Sequence, residues 1–577
     1  MPPALFFGKT ATRLLASVRP LALLTALLLA PWGRPMAQGQ ALPAFTYAGV
    51  CGVPGTNAGV RITQNVLDAA GNSYVTGDFS GDVTFGNVAL PSSGSQSDMF
   101  TAKLDAAGNV LWVVRVVGAF GCGIAVDAGG NAYVTGGFLD TATFGPFSLV
   151  SRVNTRLSPY GRNVFVAKLN PAGAFVWAVR AGGDSEDIGN GIALDTAGNI
   201  YVCGRYTGGL NANAADFGAT RLSSNNYYYD VFAAKLDPAG NFLWAAGGGS
   251  FQADQAYGIA VDATGNAYVT GFVNGSFGTV VRFGAITATV QGDEDAFVAK
   301  LSPVGIFQWV AVGGGSQSPE EGRRIALDAQ GAVHIVGDFA GPAYFGPITV
   351  SNSSFGFDIF VATLTSAGVW QQVVTGGGTG DDIGSDLALD AAGNTYVVGQ
   401  FGRRATFGST VLTTPGDQDI VVFKLNPAGA YVWAIQAGGS GNDEALSAAL
   451  DARGGLVLAG DTRSGLAVFG SQGFGGTPPF PMGFVARLAV GPLATTSPRR
   501  LPALALWPNP AHSGEVLHLS GLTTKQPIEV LDVLGRVVLT MPVLNPGTAA
   551  ITLPASLGAG VYLVRAGEQQ VGRVIVQ

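Results

Sequence analysis

The amino-acid sequence predicts an all-β protein, a seven-bladed β-propeller closed by its N-terminal strand and followed by a small C-terminal β-sandwich. Three observations predict it. One phrase recurs seven times at the spacing of a propeller blade, the strands within it are apolar on both faces, and the last copy lacks a strand that the start of the chain can supply. The composition agrees, because 47% of the 577 residues are hydrophobic and 86 are glycines, as in a turn-rich β protein.

Residues 1–37 are predicted to be a secretory signal peptide. Lys9, Arg13 and Arg19 precede an apolar run from Leu21 to Ala30, and a stretch of small and polar residues follows. This run is about half of the ~20 residues that are needed to cross a bilayer. We therefore expect cleavage after Ala37 and no transmembrane span in the mature chain.

The recurring phrase reads LDAAGNSYVTGDF in its first copy. A second phrase, such as FVAKLNPAGAFVWAVRAGG from Phe165, lies between the copies. Each phrase predicts a hairpin, because two β-rich runs flank a turn that contains Gly and often Asn. Two hairpins in each copy give four strands, here called A to D. The aspartates of the first phrase, 59 to 68 residues apart, are Asp68, Asp127, Asp195, Asp262, Asp328, Asp390 and Asp451.

Both faces of these strands need to be covered, since apolar side chains fall on both sides of runs such as FVWAV at residues 175–179. Radially stacked blades cover both faces of every sheet. A solenoid would do so too but would need distinct caps at its ends. Two smaller propellers in tandem would need a linker in the middle of the chain, and the sequence has none.

The two ends of the repeat region are complementary. The last copy stops at PMGFVARLAV, ending at Val490, without a Trp-bearing D strand. The segment with Phe45, Tyr47 and Ala48 resembles that missing strand. We therefore expect the N-terminal strand to complete the last blade, so that residues 44–490 form a ring of seven.

The repeats resemble the SBBP-type β-propeller repeat family. The resemblance lies in the phrase LDAAGNTYVVG from Leu389 and in DIVVFKLNPAGAYVWAIQAGG from Asp419. It implies a propeller architecture over most of the repeat region. It implies no single activity, because propellers host many functions.

Residues 491–502 are a predicted linker, and residues 503–577 a separate β-sandwich, because the repeat phrases stop and short strands alternate with Gly or Pro turns. Its distinctive residues are Trp507, Pro508, Asn509, Pro510, Asp532, Gly535, Arg536, Gly560 and Tyr562.

This module resembles the type A C-terminal sorting domain of the type IX secretion system, although Trp507 stands where that family more often has tyrosine. The resemblance implies that the type IX secretion machinery is a partner. It also implies that the protein is secreted, or is attached to the outer surface of a Gram-negative bacterium.

Little in the repeat region predicts catalysis. Of the three histidines only His334 lies there, at the strand position that holds Tyr268 and Tyr396 in other copies, which favours packing. No Ser-His-Asp or HExxH arrangement can be assembled. We predict no cofactor. A net charge of −7 with 12% charged residues also argues against a nucleic-acid partner.

Two cysteines, Cys51 and Cys122, are expected in D-to-A loops of adjacent copies, where a disulfide is one alternative and two free thiols are the other. The same class of loop carries acids that we expect around one mouth of the axial channel. No Asp-x-Asp-x-Asp-Gly loop exists, so these acids are predicted to be solvated and no metal site is predicted. They are Asp187, Asp254, Glu320, Asp382 and Asp443.

Lysines recur at one position of the C strand. Pairing with the aspartate of the LDxxGN phrase is one hypothesis, and a lysine that reaches solvent is the alternative. These lysines are Lys103, Lys168, Lys235, Lys300 and Lys424.

The longest B-to-C loops belong to the second and third copies, about residues 138–163 and 205–230, which should be neighbours. Tyr and Arg combine flat apolar area with hydrogen bonding, so these loops are the predicted ligand-binding surface. The alternative is that they pack over the rim of the blades. The residues concerned are Arg152, Arg156, Tyr160, Arg162, Asn225, Asn226, Tyr227, Tyr228 and Tyr229.

Three functions fit these features. The first is a noncatalytic, exported scaffold that binds a glycan, a polymer or a protein, and it needs nothing that the sequence lacks. The second is an extracellular polysaccharide hydrolase or lyase, in which acid pairs on the loop face would do acid and base chemistry. The third is a structural surface-layer component that assembles with itself.

Overall fold

The computed structural model describes residues 42–55, 58–94, 97–152, 161–208, 214–224, 228–316, 319–352, 356–475, 480–490, 505–522, 527–532, 537–542, 547–566 and 570–577. The chain divides into Met1–Leu42 and Pro43–Gln577, and every described strand lies in the second unit. The predicted signal peptide and linker lie outside the described residues. In the part of the chain that is described, no helix has the length and hydropathy of a membrane crossing.

The repeat region is built entirely from short strands. The first half contains β1 (Ala44–Val50), β2 (Val53–Pro54), β3 (Gly59–Leu67), β4 (Ser73–Ser80), β5 (Val83–Phe85), β6 (Val88–Leu90), β7 (Asp98–Leu104), β8 (Val110–Val116), β9 (Ala119–Val126), β10 (Ala132–Phe138), β11 (Thr141–Phe144), β12 (Phe147–Val150), β13 (Asn163–Leu169), β14 (Phe175–Ala181), β15 (Ile188–Leu194), β16 (Ile200–Thr207), β17 (Ala215–Phe217), β18 (Thr220–Leu222), β19 (Tyr229–Leu236) and β20 (Phe242–Gly249).

The second half contains β21 (Gln255–Val261), β22 (Ala267–Asn274), β23 (Val280–Phe283), β24 (Ile286–Thr289), β25 (Glu294–Leu301), β26 (Phe307–Gly314), β27 (Glu320–Leu327), β28 (Val333–Phe339), β29 (Pro342–Phe345), β30 (Ile348–Ser351), β31 (Asp358–Leu364), β32 (Trp370–Gly378), β33 (Ile383–Leu389), β34 (Thr395–Phe407), β35 (Thr410–Leu425), β36 (Tyr431–Ala437), β37 (Asp443–Leu450), β38 (Gly455–Thr462), β39 (Ala467–Phe469), β40 (Gln472–Phe474) and β41 (Met482–Ala489).

Each copy of the repeat forms an antiparallel sheet of its predicted A, B, C and D strands, beginning with β3-β4-β7-β8. In the last copy the order is β37-β38-β41-β1, so β1 occupies the D position, with Phe45 opposite Leu488 and Tyr47 opposite Arg487. The A strands of successive copies pack side by side, and β37 also packs against β3. The architecture is therefore all-β and propeller-like.

The LDxxGN phrase forms the A-to-B turn through local hydrogen bonds. The Oδ1 atom of Asp68 accepts the backbone N–H of Ala70 at 3.0 Å and that of Asn72 at 2.9 Å. Gly71 takes a φ of 83°, a conformation that side chains disfavour. These interactions lie within five residues of sequence, which explains why the phrase recurs as a unit.

Each B-to-C connection contains a hairpin that the four-strand prediction missed. In the fourth copy, Phe283 is fully buried and packs against Phe297 and Phe307, both at 5.2 Å between ring centroids. Gly284 follows with a φ of 60°. The hairpin also pairs with the D strand of the preceding copy, where Gly248 lies opposite Phe283. The recurring Phe-Gly pairs, which could have revealed it, begin at Phe85, Phe144, Phe217, Phe283, Phe345, Phe407 and Phe469.

A D-strand tryptophan links each of several copies to the next. The indole N–H of Trp177 donates to the carbonyl of Pro238 at 3.2 Å, in the C-to-D turn of the following copy. The fifth copy differs from the others, because Trp370 lies two positions earlier in its strand, opposite Leu364. Gln372 takes the linking position and donates to the carbonyl of Ala428 at 2.7 Å.

The core is divided into clusters that lie between adjacent sheets. One cluster joins Val164 and Val166 of the second copy to Val202 and Phe232 of the third. Such clusters cover both faces of the B and C strands. The D-strand run at residues 175–179, from which full coverage was expected, is covered less completely, because Val176 is 45% exposed.

The C-terminal module contains two antiparallel sheets, β42-β43-β46 and β45-β44-β47-β48. One cluster of buried side chains, including Leu519, Val530 and Val564, draws on both sheets. The strands are β42 (Ala505–Trp507), β43 (Val516–Leu522), β44 (Ile528–Leu531), β45 (Val537–Met541), β46 (Gly547–Thr552), β47 (Gly560–Ala566) and β48 (Gln570–Val576).

Candidate functional site

Every A strand contains a β-bulge, at which one residue has no partner in the register of the neighbouring B strand. In β3 the register passes from Ile62 to Gln64 and omits Thr63. A bulge re-aims a side chain and is common beside binding sites. The omitted residues are Thr63, Cys122, Asn190, Tyr257, Arg323, Ser385 and Leu446.

All of these bulge residues line one cavity of about 270 Å³, together with Arg61 and Arg324. We call it the central cavity. The turns and Phe-Gly hairpins keep the same residue types from copy to copy, whereas the bulge position holds a different residue type in each copy. The copies therefore diverge in chemistry where their A strands meet.

The wall of the central cavity is polar and its charges are partly compensated. Arg61 lies 3.6 Å from carboxylate oxygens of Glu444 and Asp461. Arg323 pairs with Glu321 at 3.0 Å and also with the Asp338 carboxylate. Burial raises the pKa of Asp461 to about 7, and the Glu444 carboxylate adds to the shift while Arg61 opposes it.

Tyr257 supplies the aromatic surface of the central cavity. Its ring lies 5.9 Å from that of Phe272 and 5.9 Å from the Arg323 guanidinium, measured from the ring centroid. Burial raises its pKa, so the hydroxyl stays protonated. A neutral hydrogen-bonding group thus stands beside a cation in this cavity.

A second cavity of about 350 Å³ lies between inner segments of the A strands. There Asp386 accepts from the Ser447 hydroxyl at 3.0 Å and from the Ala448 N–H at 2.9 Å, and Arg324 lies 3.8 Å away. Ser447 Oγ in turn accepts the N–H of Asn65 at 3.0 Å. A serine and an aspartate without a histidine base do not make a nucleophilic site, so this network binds A strands together.

The predicted loop surface of the second and third copies is only partly described, since Arg156, Tyr160, Asn225, Asn226 and Tyr227 lie outside the described residues. The described residues do bring the two copies together. Arg152 forms an ion pair with Asp216 of the third copy and lies 3.9 Å from Asp184.

The remaining predicted binding residues also have structural partners or exposed faces. Arg162 lies 3.6 Å from Glu186 and covers the Phe120 ring at 5.0 Å. Tyr229 lies 4.6 Å beneath the Arg205 guanidinium, whereas Tyr228 is 57% exposed. Of the three arginines predicted to meet a ligand, the two that the structure describes, Arg152 and Arg162, therefore serve contacts between loops.

The prediction of solvated acids in the D-to-A loops is wrong. Asp187, Asp254, Glu320, Asp382 and Asp443 are all fully buried. Their carboxylates accept backbone N–H groups, as in the 2.7 Å bond from Gly183 to Asp187, which the sequence pattern does not reveal. Burial raises the pKa of Asp187 to about 7. Among the described residues, no group of three or more His, Cys, Asp or Glu side chains is arranged to hold a metal ion.

The structure contains no disulfide between Cys51 and Cys122, because both thiols are free. Cys51 is fully buried in an apolar cluster that includes Val60 and Phe85. Cys122 lies within β9, not in a loop, and lines the central cavity. The bulge turns Cys122 toward that cavity while Cys51 packs into the apolar cluster, so the two side chains face different surroundings.

His334 has the packing role that the sequence favours. Its Nε2 lies 3.3 Å from Asp328 and its Nδ1 lies 3.4 Å from the Thr363 hydroxyl. Burial lowers its pKa, with Asp328 opposing the shift. Five other copies have a tyrosine in place of His334 and a lysine on the C strand. In each of them the lysine ammonium group lies 4.6 to 4.9 Å from the centroid of the tyrosine ring.

The predicted pairing of those lysines with the LDxxGN aspartates is found in three copies of the described chain. The distances are 3.4 Å for Lys103 and Asp68, 3.6 Å for Lys235 and Asp195, and 3.9 Å for Lys424 and Asp390.

Of the predicted sorting residues, Gly535 and Arg536 lie outside the described residues, and Asp532 follows β44. The Trp507 ring stacks on His518 at 5.6 Å between centroids. The remaining ones lie in or beside the strands of the C-terminal module: Pro508, Asn509, Pro510, Gly560 and Tyr562.

Comparisons with known proteins agree on the repeat. The β-propeller repeat family SBBP matches residues 176–210, which confirms the predicted family for that segment. A WD repeat-containing protein of Acanthamoeba polyphaga mimivirus is 22% identical over 508 residues, covering 72% of this chain and 36% of that protein. The regulatory protein FlaEY of Caulobacter vibrioides is 26% identical over 443 residues, covering 69% of this chain and 44% of that protein.

The chain therefore spans less than half the length of these two curated relatives. A crystal structure of a Dyadobacter fermentans protein covers 78% of this chain and 99% of its own, at 8% identity and a TM-score of 0.35. The SBBP match and the four-stranded sheets both indicate a β-propeller protein.

Proposed function

We propose that this protein is an exported, noncatalytic binding scaffold whose ligand enters the central cavity. The observation that carries the proposal is the divergence of the bulge residues. A position that only held the repeat together would keep one residue type, as the Phe-Gly hairpins do. Side chains that differ in every copy and converge on one cavity are what recognition of a particular ligand requires.

The size of the central cavity suggests how much of the ligand it accepts. At about 270 Å³ it lies just below the ~300–1,000 Å³ typical of sites for drug-sized molecules. One unit of a polymer, such as a sugar ring or a peptide side chain, fits this space better than a whole cofactor. The Tyr257 hydroxyl and the arginines offer hydrogen-bond donors for a polar unit. A glycan is therefore the preferred ligand class.

A seven-bladed ring closed by β1 is part of the proposal. It is supported by the pairing of β1 with β41 and by the packing of β37 against β3. The Tyr47 ring also covers Gly108, in the C-to-D turn of the first copy, as Trp177 covers Gly240. The last copy thus contacts the first through an aromatic ring packed on a turn glycine, the same contact that joins successive copies.

Export is supported by the sequence alone. The basic and apolar segments before Ala37 have the order of a signal peptide, and the module after residue 502 resembles a type IX sorting domain. We propose delivery to the outer cell surface or the medium, with the type IX machinery as partner.

A polysaccharide hydrolase or lyase is the alternative function, and the acids of the D-to-A loops were its proposed catalytic groups. The loop acids on which it rests are fully buried and bonded to backbone N–H groups, so they cannot contact a polysaccharide. Acid and base catalysis requires a carboxyl within hydrogen-bond reach of the substrate.

Glycan-array binding, with and without the Tyr257→Ala substitution, tests the central cavity. A central aromatic anchor typically contributes at least ~2 kcal/mol, so we expect an approximately thirtyfold or greater loss of affinity. Tyr344→Ala is the matched control, because Tyr344 is 42% exposed on a hairpin of the fifth copy and does not line the cavity.

Tyr257→Phe keeps the ring beside Phe272 and separates a loss of the hydroxyl from a loss of packing. Unchanged binding by Tyr257→Ala would exclude the central cavity. Release of cleaved glycan by the wild-type protein would exclude a noncatalytic role.

A further inference from the structure

In four copies of the described chain, the buried acid of the D-to-A loop lies beside a second buried acid at the start of the C strand. All eight side chains are at most 7% exposed. Each loop acid lies three residues before a bulge residue of the central cavity. The pairs are Asp230 with Asp254, Asp295 with Glu320, Asp358 with Asp382, and Asp419 with Asp443.

Glycine brings the two carboxyl groups of a pair together. Asp419 Oδ1 and Asp443 Oδ2 lie 2.7 and 2.8 Å from the position that a Cβ atom on Gly438 would occupy. Gly438 has a φ of 140°, which other residues rarely adopt. The first and third pairs surround Gly249 and Gly377 in the same way. The repeated glycine thus makes room for two acids at one point.

Three of the loop acids, Asp254, Asp382 and Asp443, accept hydrogen bonds at both carboxyl oxygens, whereas Glu320 leaves its buried Oε1 without a partner. Asp382 accepts the N–H of Gly378 at 2.6 Å and that of Gly402 at 3.1 Å, which fixes its loop. By contrast, Asp230, Asp295 and Asp419 each leave one buried carboxyl oxygen, Oδ1, without a hydrogen-bond partner. Two ionised oxygens cannot bond to each other, so these orphaned atoms point to a missing proton or cation.

The surroundings provide little positive charge. Apart from the pair of Asp358 and Asp382, no Arg, Lys or His of the described chain lies within 4.0 Å of these acids. The ionisable groups that face the pairs are acids and phenols, namely Asp293, Asp338, Asp381, Tyr206 and Tyr431. Two buried like charges without a counter-ion are strongly unfavourable.

The second copy shows which group belongs beside a loop acid. Asn163 stands at the start of its C strand, where the third to sixth copies have the second acid. Its Nδ2 lies 3.2 Å from Asp187 Oδ2, and its Oδ1 accepts the N–H of Arg152 at 2.8 Å, which fixes the orientation of the amide. A hydrogen-bond donor, not a metal-binding oxygen, therefore faces the loop carboxylate.

We propose that each of the four pairs holds one proton at neutral pH, so that one carboxyl group plays the part of the Asn163 amide. The stability of the D-to-A loops and the adjoining starts of the C strands then depends on pH. Losing these protons leaves two negative charges beside each loop that leads to the central cavity.

The sign of the pH dependence follows from the burial. Burial raises the pKa of Asp230 to about 8, of Asp382 to about 8 and of Asp419 to about 7, and the partner acid adds to each shift. In the unfolded chain an aspartate has a pKa of ~3.9. The folded protein therefore binds protons that the unfolded chain has lost, and its stability falls as pH rises from ~4 through these raised values.

Denaturant unfolding between pH 5 and pH 9 in a chelator tests the proposal. We compare the wild type with a variant that carries Asp230→Asn, Asp295→Asn, Asp358→Asn and Asp419→Asn. For the wild type, each pair should raise the unfolding equilibrium constant up to ~tenfold per pH unit below its pKa. The variant should have a clearly smaller slope, and the remaining dependence comes from other buried acids such as Asp187 and Asp461, whose pKa values burial also raises to about 7. Asp98→Asn is the matched control, because Asp98 faces Arg115 at 3.9 Å instead of a second acid, and it should keep the wild-type slope.

Equal slopes for the wild type and the fourfold variant would overturn the proposal. A rise in the wild-type unfolding midpoint when calcium replaces the chelator would also overturn it, if the variant showed no such rise, because a cation would then occupy the pairs.

Should the fourfold variant fail to fold, the infrared band of protonated carboxyl groups at pH 7 decides the question. It should be present in the wild type and weaker in Asp419→Asn, and its absence from the wild type would overturn the proposal.

Discussion

At the scale of single residues, the fifth copy shows how two substitutions compensate each other. In four other copies the B-strand tyrosine donates its hydroxyl to the LDxxGN aspartate, as from Tyr133 to Asp127 at 3.1 Å, and lies against a C-strand lysine. The fifth copy has His334 and Thr363 at these positions, and the imidazole contacts both Asp328 and the threonine hydroxyl. The link to the turn is kept by a different pair of groups.

This compensation predicts that His334→Tyr and Thr363→Lys couple. Each single variant mixes the two kinds of pair, whereas the double variant restores the tyrosine and lysine of the other copies. We expect a favourable coupling of about 0.5–1 kcal/mol, the size of an exposed cation–π contact. Denaturant unfolding of the four proteins at pH 8, where histidine is neutral, measures it. Strict additivity would contradict the interpretation.

At the scale of elements, β1 is the strand that the rest of its sheet depends on. Phe45 is 7% exposed and packs against Phe469 at 5.2 Å between centroids. Without β1, the backbone groups of β41 would form an exposed edge. A strand that is remote in sequence therefore shields the edge of the last copy.

Removing β1 is predicted to destabilise the repeat region severely. A chain that starts at Cys51 loses the Phe45 packing, which alone is worth about 3–5 kcal/mol. We expect a lower thermal midpoint and a tendency to aggregate, both reversed by the peptide AFTYAGV. A scrambled peptide of the same composition is the control. A midpoint equal to that of the full chain would contradict ring closure by β1.

At the scale of the whole molecule, the repeat region and the C-terminal module have separate cores. The clusters of the repeat copies and the cluster around Leu519 and Val530 share no residue. Such modules can serve different purposes, with one binding a ligand and the other directing the chain.

Deleting residues 491–577 is therefore predicted to block delivery without unfolding the repeat region. In a host with type IX secretion, we expect the truncated protein to remain in the periplasm, with an unchanged unfolding transition for its repeat region. Fractionation and surface labelling of intact cells measure the location. Fusing residues 491–577 to an unrelated exported domain is the matched test, and that fusion should reach the surface. A truncated chain that reaches the surface as efficiently as the full one would contradict the sorting role.

The sequence by itself determined whatever depends on neighbouring residues. The LDxxGN turns and the two hairpins of each copy could be predicted, because Asp, Gly and Asn set turn geometry within about five residues. The pairing of β1 with the last copy could be predicted for another reason, because comparison of the copies showed that the last one lacks a D strand. The recurring Phe-Gly pairs, read in the same way as turn signals, would also have predicted the hairpins in the B-to-C connections. His334 was correctly placed in packing, because the copies could be compared with one another.

Only the tertiary structure decided which side chains meet. A bulge adds one residue to one strand and depends on pairing with the next, so alternation along the chain does not reveal that Cys122 and Tyr257 share a cavity. Asp254 accepts one backbone N–H from Ser250 in its own loop and another from Asn274 in the neighbouring B strand. The second bond, like the meeting of two acids or of the bulge residues, depends on how the strands pair, which is why local patterns predicted the sheets but not the central cavity or the acid pairs.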